Sequence, residues 1–481
     1  MLTALIVAAL LLLCVWVSDT PALEDKGRIV GTSISLTALG LLGTLLMARG
    51  RPLRVCLAAL QLGPWMGVGF TVGYGVATLA WWDGNLNYRG IVTAMSLNAG
   101  ALVAATGFTA ATIGYFAVPA FVRRGAANLD VQARGTSPFR PEASSVWTLF
   151  LVAMAGHLAR FGAGTVGFLS DPASALSTTS SSGAIFAVMT QMGVLATLIA
   201  AWRHARVRSP GSMVLLLMVS LSQIGIGLLS AVKEAGIVQL IAVVLGLSAF
   251  GRLKIRPLVG AALLTLLVIT PLVTAYRQVV AVGATRLTAS QVIDTVDLGA
   301  IISDTLGAHD SNTVGQPGSW GRWSRVGDVG IIVNQSPTPI PYASPTELLV
   351  GPVLGFIPRS LWPGKPVLDA GYQINQIYYH SPPSSYSSAA PTPYGDLFRH
   401  GGIPVVTAGM LLFGGFLRLV DSRHAGNGAP DPRVLFLPML LFTAVVKQEA
   451  DYVGFTASLL LTLVTYVVAA RLTRSGRTVG P

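Results

Sequence analysis

The sequence predicts an all-α polytopic membrane protein: about 12 transmembrane helices, with a large extracytoplasmic loop domain between spans 9 and 10. Three observations predict it. Of 481 residues, 52% are hydrophobic and only 11% are charged, and mean hydropathy is +0.64, whereas a soluble domain carries about 25% charged residues. Apolar runs of roughly eighteen or more residues recur, each long enough to cross a bilayer as a helix. Between those runs, every second loop is rich in arginine. No convincing internal repeat is visible.

The expected spans are 2–18, 29–48, 55–80, 91–122, 146–168, 183–202, 212–231, 236–251, 257–275, 402–419, 433–447 and 453–470. The first resembles a signal peptide in its apolar run, but it lacks a basic start and a small-residue cleavage site, so it is read as a retained span. Arg49, Arg51 and Arg54 follow the second span, and Arg123, Arg124, Arg134 and Arg140 the fourth. Arg203, Arg206 and Arg208 follow the sixth, and Arg252, Lys254 and Arg256 the eighth. Arg418, Arg423 and Arg433 follow the tenth, and Arg471, Arg474 and Arg477 the last. Positively charged loops stay cytoplasmic. The expected localisation is therefore the cytoplasmic membrane, with both termini on the cytoplasmic side. This distribution also explains the net charge of +12 without nucleic acid as a partner. The basic loops are placed to touch anionic membrane lipids. Cys14 and Cys56 fall at opposite ends of their spans, so no disulfide is expected.

The chain divides into a bundle of spans 1–9 (residues 1–275), a loop domain (276–401), and spans 10–12 with a tail (402–481). The loop has seven Arg/Lys and eight Asp/Glu, a formal charge of −1. A structureless insertion of that length is uncommon and usually functional. It carries His309, His380 and His400, together with Trp320, Trp323, Trp362, Tyr342, Tyr372, Tyr378, Tyr379, Tyr386 and Tyr394. "TELLVGPVLGFIP" (346–358) is apolar but too short to span, which predicts a re-entrant or interfacial helix. "SPPSSYSSAAPTP" (381–393) reads as a flap. The plain alternative is a cap that only shields the bundle.

Several chemistries lack their signatures. There is no P-loop for ATP, no H-E-x-x-H or Cys/His cluster for zinc, and no G-x-S-x-G elbow. Glu449-Ala450-Asp451 is the nearest approach to a metal-binding acidic pair, so neither a metal nor another cofactor is expected. What remains on the expected outer face is arginine and aromatic residues. Guanidinium forks match phosphate oxygens, and aromatic faces suit sugar rings. A lipid-linked sugar diphosphate fits such a site, since it carries its own leaving group to a face without nucleotide supply.

Residues 322–402 resemble the bacterial O-antigen polymerase family, the Wzy-type oligosaccharide repeat-unit polymerases. The stretch includes "RWSRVGDVGIIVNQSPTPIPYASPTELLVGPVLGFIPRSLWPGKP". Its "P-R-x-x-W-x-x-K-P" turn is Pro358, Arg359, Trp362, Lys365 and Pro366, followed by Gly371. A later "G-[DE]-x-[YF]-x-x-x-G" element is matched by Gly395, Asp396, Phe398 and Gly402. Phe398 stands where tyrosine is frequent, so no hydroxyl chemistry is assigned there. The rest of the chain matches in hydropathy. The resemblance implies a GT-C-like membrane glycosyltransferase. Such enzymes polymerise undecaprenyl-diphosphate-linked oligosaccharide units at the outer face, without metal, in company with a flippase and a chain-length regulator.

Candidate residues follow. Developing charge on the diphosphate calls for fixed donors. Arg359 comes first, on a turn stiffened by Pro358, Pro363 and Pro366, then Lys365, with Arg322, Arg325, Arg277 and Arg399 behind. Arg286 ranks lower. Trp362, Tyr372, His380 and Tyr394 are candidates for sugar contact. Asp396 and His400 are candidates to take the acceptor proton, and share one face if "YGDLFRHGG" is helical. The plain alternative is that Asp396 caps the helix into span 10 and His400 is interfacial. Lys447, Glu449 and Asp451 can join from the last outer loop. His157 and Arg160, unusual inside a span, either meet a lipid diphosphate or pair within the bundle. Two other functions stay open: an O-antigen ligase-type transferase, and a transporter or flippase of lipid-linked sugars, although broken helices and inverted repeats, the usual transporter marks, are not visible.

Overall fold

A computed structural model describes residues 25–48, 52–58, 60–81, 93–119, 122–125, 142–163, 183–230, 232–248, 255–265, 324–357, 370–382, 391–422 and 432–473, with a few isolated positions between them. Among these residues the chain is helical, apart from a two-residue antiparallel pairing of Ala281–Val282 with Thr285–Arg286.

Seven described helices are long and apolar enough to cross a membrane. They are α1 (Asp25–Ala48), α4 (Ala94–Ala117), α5 (Ala143–Gly162), α6 (Gly183–Val207), α7 (Pro210–Leu229), α14 (Gly402–Asp421) and α16 (Tyr452–Leu472). Local chemistry sets several of their starts. Thr93 and Ser96 form a capping box at α4, with the Ser96 amide donating to Thr93 Oγ1 at 3.1 Å and the Thr93 amide to Ser96 Oγ at 2.8 Å. Ser209 and Ser212 repeat the device at α7, with Pro210 at the first helical position. Apolar side chains such as Leu151, Leu158, Val214, Leu221 and Leu412 point outward and are exposed. A membrane is the solvent in which that arrangement is favourable.

The other expected spans are shorter helical pieces or fall outside the described residues. In place of 55–80 are α2 (Leu53–Ala58) and α3 (Leu62–Phe70), separated at Leu60, whose φ is +53°. From α3 the chain continues through a π turn (Thr71–Gly75) and a 3-10 turn (Val76–Trp81). Three short helices stand for spans 8, 9 and 11: α8 (Lys233–Ser248), α9 (Ile255–Leu264) and α15 (Phe436–Lys447). Span 2–18 lies outside the described residues.

Contacts between helices give the relative directions of several of them. Early residues of α1 and α4 meet, Thr32 donating to Asn98 at 2.9 Å, so these helices run together. Ser33 of α1 donates to the carbonyl of Gly75, at the far end of the α3 segment, at 2.9 Å, so that segment runs against them. Gly156, late in α5, lies against Met189, early in α6. Gly246, late in α8, lies against Leu198 and Ala201, late in α6. α4 and α14 approach closely: a Cβ on Gly414 would stand 1.8 Å from the Ala111 carbonyl oxygen, and one on Gly114 2.0 Å from that of Leu411. Glycine at both positions lets the two backbones touch.

The described helices of 276–401 are α10 (Arg325–Gln335), α11 (Thr346–Phe356), α12 (Ala370–Ile377) and α13 (Thr392–Arg399). At the end of the bundle where α14 and α16 begin, α10, α11 and α13 pack directly on the long helices. α10 lies on α4 and α13, α11 on α16, and α13 between α10 and α14. α11 has the expected extent of a short apolar helix. Leu349 and Val353 on it are exposed, as an interfacial helix requires.

Candidate active site

α13 is short, and every one of its residues is buried. Thr392 opens it with φ +62°, and its hydroxyl accepts the Gly395 amide at 3.2 Å. Two glycines of positive φ, Gly401 and Gly402 at +153° and +70°, then turn the chain into α14. This fixes Asp396, Arg399 and His400 on successive turns at the bundle end.

The three side chains converge, and their remaining partners come from far along the chain. Arg399 Nε donates to Asp396 Oδ1 at 2.6 Å. The other carboxylate oxygen of Asp396 accepts the Val453 amide, in the first turn of α16, at 3.1 Å. His400 Nδ1 lies 2.7 Å from the Asp396 carbonyl, which can only accept, so Nδ1 carries a proton. His400 Nε2 lies 3.2 Å from Glu347 Oε2, and Arg399 Nη2 lies 3.4 Å from the same oxygen. With Nδ1 so committed, Nε2 and Glu347 Oε2 share a hydrogen bond only when a further proton is carried by one of them, so the pair is arranged to accept one. Asp396 and His400 are buried, whereas the Glu347 side chain is 44% exposed. Glu347 is thus the member that solvent or a substrate meets first.

Asp451 stands beside this group. It caps α16 by accepting the Gly454 amide at 2.6 Å. Burial, and then the charge of Asp396, raise its carboxyl to about 6.

A second charged chain adjoins the first. Arg325 pairs with Glu449 and lies 3.7 Å from Asp328. Glu449 also pairs with Lys447, whose Nζ lies 2.6 Å from Glu234 on α8. Tyr379 donates to Asp328. Burial raises the Asp328 carboxyl in spite of those donors. Tyr378 shares a hydrogen bond of 2.8 Å with Ser336.

The sequence candidates distribute as follows. Asp396, Arg399 and His400 are brought together, and Asp396 and His400 do share one turn. Arg325 joins the second chain, with Lys447 and Glu449. Tyr394 is completely buried: its ring packs edge-on against Tyr74 at 5.1 Å and its hydroxyl donates to Gln448 at 2.8 Å. That makes it a packing element rather than a sugar platform. His380 is exposed, with φ +51°, Tyr372 is half-buried and Trp362 is 40% exposed. Arg399 serves two carboxylates, Asp396 and Glu347. The helix that Asp396 caps is α16, not the one leading into span 10. Arg359, Lys365, Arg322, Arg277 and Arg286 lie outside the residues whose side chains are described. Sequence reasoning missed Glu347 as a site residue. The available signal was an acid in the first turn of an apolar helix too short to span.

His157 and Arg160 lie elsewhere in the bundle. They line a cavity of about 400 Å3 among α5, α6, α7, α8 and α15. Among the described residues, no cluster of three or more His, Cys, Asp or Glu is arranged to hold a metal ion.

The family described as Domain of unknown function (DUF8712) matches residues 165–425, more than half of the chain. This chain belongs to that family. No curated protein and no solved structure matches it. The DUF8712 region runs from before α6 to just past α14. It holds Glu347, Asp396, Arg399 and His400, while the α16 cap and the Lys447–Glu449 pair lie beyond it.

Proposed function

We propose that the chain is a membrane glycosyltransferase that polymerises undecaprenyl-diphosphate-linked oligosaccharide units at the outer face of the cytoplasmic membrane. The observation that carries this reading is the convergence of Asp396, Arg399, His400 and Glu347 at the helix end where the expected outer loops meet. The O-antigen polymerase resemblance of residues 322–402 supports it from the sequence side. In this reading the protein has twelve spans, the segment 276–401 is extracytoplasmic, and both termini are cytoplasmic. A flippase supplies the substrate and a chain-length regulator limits the product.

The reaction assigns a part to each group. The acceptor hydroxyl attacks C1 of the donor sugar, and the bond from C1 to the diphosphate oxygen breaks. The hydroxyl proton passes to the Glu347–His400 pair, with Glu347 in contact and His400 behind it. The Asp396 carbonyl holds the imidazole, and Arg399 positions both carboxylates. The departing diphosphate takes the negative charge, held by Arg359 and Lys365. The basis for those two is the sequence "RSLWPGKP", with its prolines, tryptophan and two positive charges.

A second reading is transport of the same lipid-linked sugars. The polar side chains that line the cavity among α5, α6, α7, α8 and α15 favour it, since intramembrane polar groups mark substrate paths. Polymer length on lipid-linked product, in a deletion strain carrying Arg359→Lys or Arg359→Ala at equal protein level, tests the transferase reading. Lysine keeps the charge but not the fork, so both variants are expected to fall on the order of 10²-fold. Normal polymer from Arg359→Ala removes this residue from the mechanism.

A further inference from the structure

The cavity among α5, α6, α7, α8 and α15 has a largely apolar lining, and set into it are polar groups that helix packing alone does not explain. Four helices each send an amide or imidazole towards it: His157, Gln191, Gln223 and Gln239. His157 Nε2 and Gln223 Oε1 satisfy each other at 3.2 Å. Gly193 makes room for that pair, since a Cβ there would stand 2.2 Å from Gln223 Oε1. This much is ordinary interhelical bonding. Gln191 and Gln239 are different. Each has a buried Oε1 without a hydrogen-bond partner, and Gln239 is only 5% exposed. An orphaned buried amide is costly, and more so between membrane helices.

The rim adds charge. Arg160, in the last turn of α5, lines the cavity. So does Glu234, whose carboxylate is held by Lys447 at 2.6 Å. Through Glu449 that lysine connects to Arg325 and α10. One wall of the cavity is thus tied to the helices of the candidate active site. The volume of about 400 Å3 falls within the ordinary range of small-ligand sites. Apolar side chains from α6, α8 and α15 complete the lining.

We propose that this cavity is a second binding site, for a hydroxyl-bearing sugar carried on a phosphate. Sugar hydroxyls donate to the orphaned oxygens of Gln191 and Gln239, and Arg160 takes the phosphate charge. The choice of a lipid-linked sugar as ligand rests on the transferase reading above. The cavity and its unsatisfied amides do not.

The test is binding to the full chain in lipid nanodiscs, without turnover. The probes are a farnesyl-diphosphate-linked disaccharide, farnesyl diphosphate without sugar, and inorganic pyrophosphate. The sugar-bearing probe is expected to bind at least about tenfold tighter than farnesyl diphosphate, the scale of one good hydrogen bond. That gap should close in Gln239→Leu and in Gln191→Leu, substitutions that replace an orphaned amide by an apolar group and so leave folding intact. It should persist in Gly415→Ala, a change on α14 away from the cavity with nothing nearer than 3.5 Å to the added Cβ. Arg160→Gln should weaken both lipid probes together. A gap indifferent to Gln191 and Gln239 overturns the proposal, as does equal competition by inorganic pyrophosphate, which would mark a simple phosphate site. If the gap depends on Gln239 in a protein that forms no polymer, the transferase reading fails and the cavity site stands, as part of a transporter.

Discussion

Asp396 and Asp451 cap the same helix. Asp396 accepts the Val453 amide at 3.1 Å and Asp451 the Gly454 amide at 2.6 Å, so two carboxylates share the first turn of α16. The positive helix end favours them both, while their mutual repulsion does not. Burial is the larger burden on Asp451, and the charge of Asp396 adds to it, which brings the Asp451 carboxyl from 3.8 to about 6.

The sign of the pH effect follows. Between the two values the folded chain binds more protons at Asp451 than the unfolded chain, so stability falls as pH rises from 3.8 to about 6 and stays lowered above it. Asp451→Asn keeps a capping oxygen and removes this penalty. Thermal unfolding in detergent should lose that part of its pH dependence, and the variant should gain on the order of 1–3 kcal/mol at neutral pH. Parallel pH curves for the two proteins would contradict the assignment.

The α4–α14 contact gives a prediction about packing. Gly414→Ala places a methyl group into the Ala111 carbonyl, with its Cβ only 1.8 Å from that oxygen, whereas a Cβ on the neighbouring Gly415 meets nothing nearer than 3.5 Å. The first change should cost roughly 1–3 kcal/mol or more and reduce folded protein in the membrane. Gly415→Ala should be near neutral. Equal accumulation of both variants would mean the helices are not in this contact.

Burial ranks the ion pairs of the second charged chain. Arg325 and Glu449 are 15% and 26% exposed, against 33% and 41% for Lys447 and Glu234. A double-mutant cycle should give a coupling of roughly 1–3 kcal/mol for the first pair and about 0.2–1 kcal/mol for the second. The reverse order would show that Arg325 is held by something else.

Topology is open to labelling. Single cysteines at Ser385 and Ser422, treated with an impermeant thiol reagent in intact cells, should react at 385 and not at 422. Reaction at 422 alone would invert the orientation taken from the arginine pattern.

Much of this was legible in the sequence, for identifiable reasons. Apolar runs encode long helices, and the contacts of Thr32 with Asn98 and of Ser33 with Gly75 show that α1 and α4 run together with the α3 segment against them. The i, i+4 spacing of Asp396 and His400 encodes a shared face, and the 2.7 Å contact of the imidazole with the Asp396 carbonyl follows. What hydropathy does not encode is where a helix breaks. The 55–80 run is apolar throughout, yet it turns at Leu60 and changes pitch after Phe70. Nor does local pattern encode partners far apart in the chain. Glu347 and His400 are 53 residues apart, and Asp396 and Val453 are 57 apart. Their meeting is decided by how α11 and α13 pack on α16. The burial of Tyr394 was hidden for the same reason, since its hydroxyl partner, Gln448, lies beyond the next helix.

In the proposed transferase the Glu347–His400 pair takes the acceptor proton. This assignment is tested most directly by purified protein in nanodiscs, given undecaprenyl-diphosphate-linked oligosaccharide, with the lipid-linked product resolved by size. Wild-type protein should yield a ladder spaced by one repeat unit. His400→Gln and Glu347→Gln, equally folded, should lose about 10²–10⁴ in rate. A wild-type protein that makes no ladder, or a His400→Gln variant that makes a normal one, would contradict the account.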